Sequence, residues 1–341
     1  MQGDDAKQVA GLAAALQALR AGGVVAFPTE TVYGLGADAT NPQAVARIYA
    51  LKGRPANHPL IVHLADAALL PRWARELPAA ARTLAARYWP GPLTLVLPRA
   101  AGVLDAVTGG QDSVALRVPS HPVARALLDA FGGAIAAPSA NRYGHVSPTR
   151  ASHVREEFGP EVPVVLDGGD CEVGLESTIV ACLGGRVMLL RPGSIPLSAL
   201  RAAVGEVLAG PAGDVPRTPG STSAHYAPRT PLWLLPGHEL ARVALERVAA
   251  GERVGVLALG ARPGPPLAGL HWIAAGSDPL RYGHDLYAQL RELDHAGCAR
   301  LLAEQLPAGE AWDAPRDRLQ RAAAATSYDT MNPMMNDGDL P

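Results

Sequence analysis

Apolar residues recur along this chain with two different periods, and the switches between them outline its elements. Val9, Leu12, Leu16 and Leu19 fall at helical spacing, and Gly22-Gly23 ends that run. "VVAFPT" then reads as a buried strand. Asn41-Pro42 supplies a cap and a first-turn proline, which predicts a helix through Leu51. "HPLIVHL", "PLTLVLP", "SVALRVP", "AIAAPS" and "PVVLDGG" follow as short strands, separated by helical stretches such as "HPVARALLDAF". "STIVACLGGRVMLLRPG" sets two apolar runs around Gly184-Gly185, a hairpin signal, and "IPLSALRAAVGEVL" adds a helix. Strands and helices mixed in this way predict one α/β domain with a mixed sheet over residues 1–208.

The pattern breaks at residues 209–230, where Pro211, Pro216, Pro219 and Pro228 punctuate a polar stretch. That composition predicts a semi-extended linker. Beyond it, "PLWLL", "HELARVALERVAAG", "RVGVLAL", "LHWIAA", "DLYAQLRELDHAG" and "ARLLAEQL" alternate strand and helix. A small doubly wound, Rossmann-like α/β domain is expected over residues 231–326. The polar remainder, 327–341, is expected to be a disordered tail.

Composition narrows the function classes. With 341 residues and a formal net charge of −2, the chain carries no global field for nucleic acid or membrane, so any anion site must be local. Three cysteines without a C-x-x-C spacing offer neither a disulfide framework nor a zinc site. There is no signal-peptide pattern and no bilayer-spanning apolar run, so a cytoplasmic protein is expected. No P-loop, G-x-S-x-G or H-E-x-x-H motif is present. "GLGADA" fits a dinucleotide fingerprint but lacks the acidic partner that should follow, and it reads better as a tight turn.

What remains is a scatter of anion-binding groups. Lysine occurs only at Lys7 and Lys52 in a chain that otherwise uses arginine. Lys52 and Arg54 end a helix, where they either complement its dipole or meet a phosphate. His63 closes an apolar strand, where a satisfied structural histidine is the commoner outcome. Arg117 interrupts "VALRVP", where a buried charge needs a partner from protein or ligand. Ser139 and Asn141 in "APSAN", the hydroxyls of "LEST" and Arg191 beside a Pro-Gly turn each have an ordinary capping, strand or surface reading as well.

Taken in order, "PTETVYGLGADA", "KGRPANHPLIVH", "WPGPLTLVL", "VALRVPSHP", "APSANRYGHVSPT", "GLESTIV" and "LLRPGSI" are similar to the threonylcarbamoyl-AMP synthase family. The later "HYAP" and small α/β domain resemble its long, two-domain form. The resemblance implies a YrdC-like catalytic domain with a twisted mixed sheet and a basic cleft. It also implies the reaction of L-threonine, bicarbonate and ATP to threonylcarbamoyl-AMP and pyrophosphate. The product would pass to partner proteins that modify the adenosine beside the tRNA anticodon; direct tRNA binding stays open. Threonine would be held by Thr31, His63, Arg117, Ser177 and the backbone of Ala137. ATP would be held by Lys52, Arg54, His58, Ser113, Ser139, Asn141, Ser147, Arg191 and linker Tyr226, with Lys52 and Arg54 acting in catalysis. Many relatives carry an amide where this chain has His58. Mg²⁺ would arrive with ATP, since no carboxylate cluster announces a metal site, and residues 209–230 would form a lid over the nucleotide. An RNA-binding module and a related carbamoyltransferase are the alternatives. The aromatic content of 5% opposes the first, and the lack of acylphosphatase and zinc-finger segments opposes the second.

Overall fold

The computed structural model describes residues 2–210, 216–220 and 225–324, with side chains from Val9 onward. The expected tail, 327–341, lies outside the described residues. Contacts divide the chain into two units, one of residues 1–143 and 147–221, the other of residues 144–146 and 222–341.

The first unit opens with α1 (Gln2–Arg20), β1 (Val25–Phe27), β2 (Gly34–Asp38) and α2 (Pro42–Lys52). It continues through β3 (Ile61–His63), α3 (Ala79–Tyr88), β4 (Leu93–Pro98), α4 (Asp105–Thr108), β5 (Ser113–Arg117) and α5 (Pro122–Phe131). β6 (Ile135–Ala136), α6 (Ala151–Phe158), β7 (Thr178–Leu183), β8 (Arg186–Arg191), α7 (Leu197–Val204) and β9 (Leu208–Ala209) complete it. Its strands form a mixed nine-stranded sheet in the order β1-β2-β6-β3-β5-β4-β7-β8-β9. Asn41 caps α2 by accepting from the N–H groups of Gln43 and Ala44, and Gly53 ends that helix in the left-handed region. Gly184 and Gly185 both take positive φ, as a two-residue hairpin turn requires.

Alternation along the strands gives the sheet two unlike faces. Val62, Leu95, Leu97, Leu116 and Val180 join the main core with residues of α2, α3, α6 and α7. The opposite face carries a small cluster of Ile61, Val96, Ala115, Ile179, Ala181 and Met188, every member of which lies on a strand. A third cluster packs Ala15 and Leu19 of α1 and Leu127 and Leu128 of α5 against Val25, Phe27 and Ile135.

The second unit contains β10 (Leu232–Leu235), α8 (Gly237–Ala249), β11 (Val254–Ala258), β12 (Leu270–Ala274), α9 (Pro279–His295), β13 (Arg300–Glu304) and α10 (Asp313–Ala324). Its four strands are all parallel, in the order β10-β13-β11-β12. Val254, Val256 and Ala258 face Leu240 and Val243 of α8. A Cβ built on Gly255 would meet Leu293 of α9 on the other side. Helices therefore cover both faces, as the doubly wound expectation required. Among the described residues no helix is long and apolar enough to cross a membrane.

Three sequence expectations are corrected. "GLGADA" is not a turn: Gly34–Asp38 is a full strand paired antiparallel with β1. Its glycines serve close packing, because a Cβ on Gly36 would stand 2.6 Å from both the Phe27 ring and Ile135. "PVVLDGG" is reduced to a single bridge between Val165 and Ala26. β1 is followed by Pro28, which has no N–H with which to extend that pairing. Finally, α10 escaped the periodicity because its inward face includes the fully buried Arg318 beside Leu319 and Ala322.

Gly36→Val should lower the stability of the first unit by about 1–3 kcal/mol, the usual penalty for overpacking a filled core. A lower urea midpoint with an unchanged m-value is the expected reading; an unaltered midpoint would show that Phe27 can yield without cost.

Candidate active site

The buried polar residues His63, Thr94, Arg117 and Arg191 of the strands lie on the sheet face opposite the main core. His63 pairs with Arg117 across β3 and β5, Thr94 pairs with Ile179, and Ile179 pairs with Arg191. In the adjacent row Ile61 pairs with Ala115, Ala115 with Val96 and Val96 with Ala181. A polar row thus borders a row of apolar residues on one pleated face, the arrangement expected of a strand-end ligand cleft.

Arg117 anchors this row. It is 3% exposed, and its Nη2 lies 2.8 Å from the Glu30 carboxylate, itself 3% exposed. Nη1 donates to Thr31 Oγ1 at 2.8 Å and Nε to the Gly91 carbonyl at 3.3 Å. Thr29 Oγ1 donates to the Val32 carbonyl, which leaves Thr31 Oγ1 to donate to Thr29 at 2.8 Å and to accept from Arg117. The second oxygen of Glu30 accepts from the Ser120 N–H at 3.1 Å. Burial pushes the Glu30 carboxyl up, but attraction from Arg117, with help from Ser120 N–H, outweighs it and holds the group below the ordinary carboxylate value. His63 is pushed down to about 3 by burial and by the adjacent Arg117 cation, so its imidazole is neutral.

A second cluster surrounds Arg191. Its Nε and Nη2 donate to the Ser177 carbonyl at 3.1 and 3.0 Å, Nη2 reaches Ser177 Oγ at 3.2 Å, and Nη1 donates to the Pro219 carbonyl at 2.9 Å. Ser177 Oγ also meets Thr94 Oγ1 at 2.7 Å. Ser147 Oγ donates to Glu176 at 2.6 Å. Ala137 donates its N–H to the Ile61 carbonyl at 2.9 Å.

The third cluster lies at the end of α2. Lys52 is 3% exposed, too deep for a group that merely decorates a helix end. Its Nζ donates to the carbonyls of Ser139, at 2.6 Å, and Asn141. Burial and then the nearby Arg54 hold its pKa well below the ordinary lysine value. Arg54 donates to the Pro59 carbonyl at 2.9 Å and stands 5.9 Å from the centre of the Tyr143 ring. Tyr143 OH is 3.2 Å from His58 Nδ1.

Thr31, His63, Arg117 and Ser177 therefore lie on or beside the polar row, while Lys52, Arg54, His58, Ser139 and Asn141 share the α2 end. Ser113 stands at the other end of β5 from Arg117, roughly 13 Å along the strand at about 3.3 Å per residue. Tyr226 belongs to the second unit, where it is 1% exposed at φ 63°. There it stacks on Tyr287 at 5.8 Å, with the Arg318 guanidinium 5.3 Å from its ring centre. Glu30, Thr94, Tyr143 and Glu176 were not singled out from the sequence. The signal for Glu30 was present: an acid in the buried stretch "PTETVY" needs a partner as much as Arg117 does. Cys171 and Cys182 are pushed up to about 12 by burial, so neither offers a thiolate nucleophile.

A mixed sheet carrying an arginine-anchored polar row, with a buried lysine–arginine pair at the end of α2, is the architecture on which the comparisons bear. Residues 17–193 match the Sua5/YciO/YrdC family model, described as telomere recombination. Residues 195–324 match the model of the threonylcarbamoyl-AMP synthase C-terminal domain. The threonylcarbamoyl-AMP synthase of Pyrococcus abyssi is 39% identical over 316 residues, covering 89% of this chain and 92% of that protein. That of Bacillus subtilis is 39% identical over 329 residues, covering 92% of each. The crystal structure of P. abyssi Sua5 complexed with L-threonine superposes with a TM-score of 0.85 at 37% identity, covering 93% of this chain and 95% of that one. The chain belongs to the threonylcarbamoyl-AMP synthase family.

The Glu30–Arg117 pair makes stability acid-sensitive. Because the folded carboxyl binds its proton less tightly than the unfolded one, its contribution is complete above the ordinary carboxylate value of 4.5. It is lost as pH falls from there through the lower folded value. Urea titrations at neutral and acid pH should show a steeper acid loss for the native chain than for the neutral pair Glu30→Gln/Arg117→Gln. Equal acid loss in both would assign the effect to other carboxylates.

Proposed function

We propose that this protein is an L-threonylcarbamoyladenylate synthase that converts L-threonine, bicarbonate and ATP to threonylcarbamoyl-AMP and pyrophosphate. The observation that carries the reading is the polar row itself: a buried arginine fork and a neutral histidine beside an alternating apolar row, in a chain of this family. In this reaction the threonine amine attacks the carbon of bicarbonate, water is lost, and a carbamate forms. A carbamate oxygen then attacks the α-phosphorus of ATP, and the bond to the β-phosphate breaks as pyrophosphate leaves with the electron pair. The substrate supplies the nucleophile, so the protein's task is to position and to stabilise charge.

In this reading Arg117 receives the threonine carboxylate, with Thr31, Ser177 and the Ala137 carbonyl around the substrate. Neutral His63 can accept a hydrogen bond from the substrate without adding charge. Lys52, Arg54 and Arg191 offset the triphosphate, and Lys52 and Arg54 stabilise charge that grows on the departing pyrophosphate. Ser113, Ser139, Asn141, Ser147 and His58 supply further polar contacts to the nucleotide. The three buried carboxylates among the described residues of the first unit are already engaged, Glu30 by Arg117, Glu157 by the Arg142 N–H and Glu176 by Ser147. That donor set fits Mg²⁺ entering on the triphosphate rather than in a protein cage. The product is handed in the cytoplasm to tRNA-modifying threonylcarbamoyl transferases.

Mass spectrometry of a reaction containing all three substrates should show the acyl-adenylate, with pyrophosphate released only when threonine and bicarbonate are both present. Serine should be the poorer substrate, since a missing methyl in an apolar contact is worth about 1–3 kcal/mol. Formation of ADP, or equal turnover of serine, would overturn the reading. Lys52→Ala should cut turnover by roughly 10²–10³-fold, the usual cost of losing a preorganised charge-stabilising donor; normal turnover would return Lys52 to a purely structural role.

The lowered Lys52 pKa carries a separate consequence. A triphosphate beside the amine favours its charged form, so nucleotide binding should raise the Lys52 pKa and take up protons at any pH between its free and bound values. Calorimetry in buffers of different ionisation enthalpy should reveal this uptake, and Lys52→Gln should remove it. Identical binding heats in all buffers for the native chain would count against contact between Lys52 and phosphate.

A further inference from the structure

We infer that Glu30 is a positioning and specificity-determining residue of the threonine subsite, tuning it for a zwitterion rather than for a simple anion. The inference rests on the functional reading above. Arginine offers five N–H donors. Nη1 donates to Thr31 at 2.8 Å and Nε to Gly91 at 3.3 Å, while Nη2 forms the ion pair with Glu30 at 2.8 Å without donating a hydrogen bond to it. The η nitrogens therefore keep at least the two N–H groups that a carboxylate takes in bidentate pairing. Glu30 is fixed in turn: its carboxylate accepts from Ser120 N–H, and its backbone carbonyl accepts from Val173 N–H at 2.7 Å. The acid therefore orients the fork instead of following it.

Its charge matters as much as its geometry. Without Glu30, Arg117 would lose the buried carboxylate that offsets its charge at 2.8 Å. A pocket without it would welcome any carboxylate and repel an ammonium. With Glu30 in place the formal charges of the pair cancel, and both partners are almost wholly buried, where screening by solvent is weak. A ligand that carries one carboxylate and one ammonium then suits the pocket better than one that carries a carboxylate alone. Threonine is such a ligand at neutral pH; 3-hydroxybutyrate, which lacks the amine, is not.

Calorimetry with the full chain can test this using threonine and 3-hydroxybutyrate as probes. The native protein should bind threonine at least 10-fold more tightly than 3-hydroxybutyrate. In Glu30→Gln the affinity for threonine should fall on the order of 10-fold or more while 3-hydroxybutyrate is held or strengthened, so that the preference collapses. Glu30→Asp, which keeps the charge on a shorter arm, should weaken both probes and retain the preference. ATP affinity should stay within a few-fold in either variant. A parallel loss of both probes in Glu30→Gln would make Glu30 merely structural and overturn the inference. Should Glu30→Gln fail to fold, the native chain and Glu30→Asp still decide: a native protein without preference between the probes, or an Asp variant that loses it, refutes the inference. Absence of any threonine binding to the native chain would instead overturn the functional reading on which it stands.

Discussion

A pleated strand sends alternate side chains to opposite sides, and that constraint shapes everything functional in the first unit. Leu95, Leu116 and Val180 commit one face of the sheet to the main core. Their neighbours Thr94, Arg117 and Ile179 are thereby forced to the other face, whose apolar members come from strands alone. Polar residues there would be an unrelieved desolvation cost unless each found a partner. They do: Arg117 with Glu30, Thr94 with Ser177, and Arg191 with the carbonyls of Ser177 and Pro219. This face is a set of polar groups that partner one another.

Several of these pairs look unfavourable when judged as stabilising devices. A buried ion pair such as Glu30–Arg117 gains little over well-packed apolar residues. Lys52 is similarly placed, with its amine against two backbone carbonyls and its pKa held down. Buried groups of this kind, arranged on one side of a sheet, mark sites where charge is kept for use. An adenylate-forming reaction needs such a store, because it brings a triphosphate and a carboxylate together and develops further negative charge as pyrophosphate leaves.

The second unit shows the same economy in a different form. Tyr226 is held in the left-handed region, which an L-residue other than glycine seldom adopts. Its ring is fixed between Tyr287 and the buried Arg318, while Ala227 donates to the Gly144 carbonyl at 2.7 Å. The backbone conformation is thus imposed by packing around the side chain rather than by local preference.

Much of this was legible in the chain itself. Helical spacing, the Asn41-Pro42 cap and the Gly184-Gly185 turn are local signals, and the elements they mark form where expected. The ordered motifs around Lys52, Arg117, Asn141 and Ser177 identified the family, because residue types in sequence order survive without coordinates. Tertiary structure decided what depends on distant partners. Gly34–Asp38 became a strand because β1 and Ile135 lie against it, and "PVVLDGG" lost its strand because Pro28 has no N–H to pair. Glu30 gained its role only when folding brought β5 to its side, since an ion pair across 87 positions has no periodicity to betray it. Local propensity acts within a few residues, whereas a site is made of contacts whose partners only the completed sheet selects.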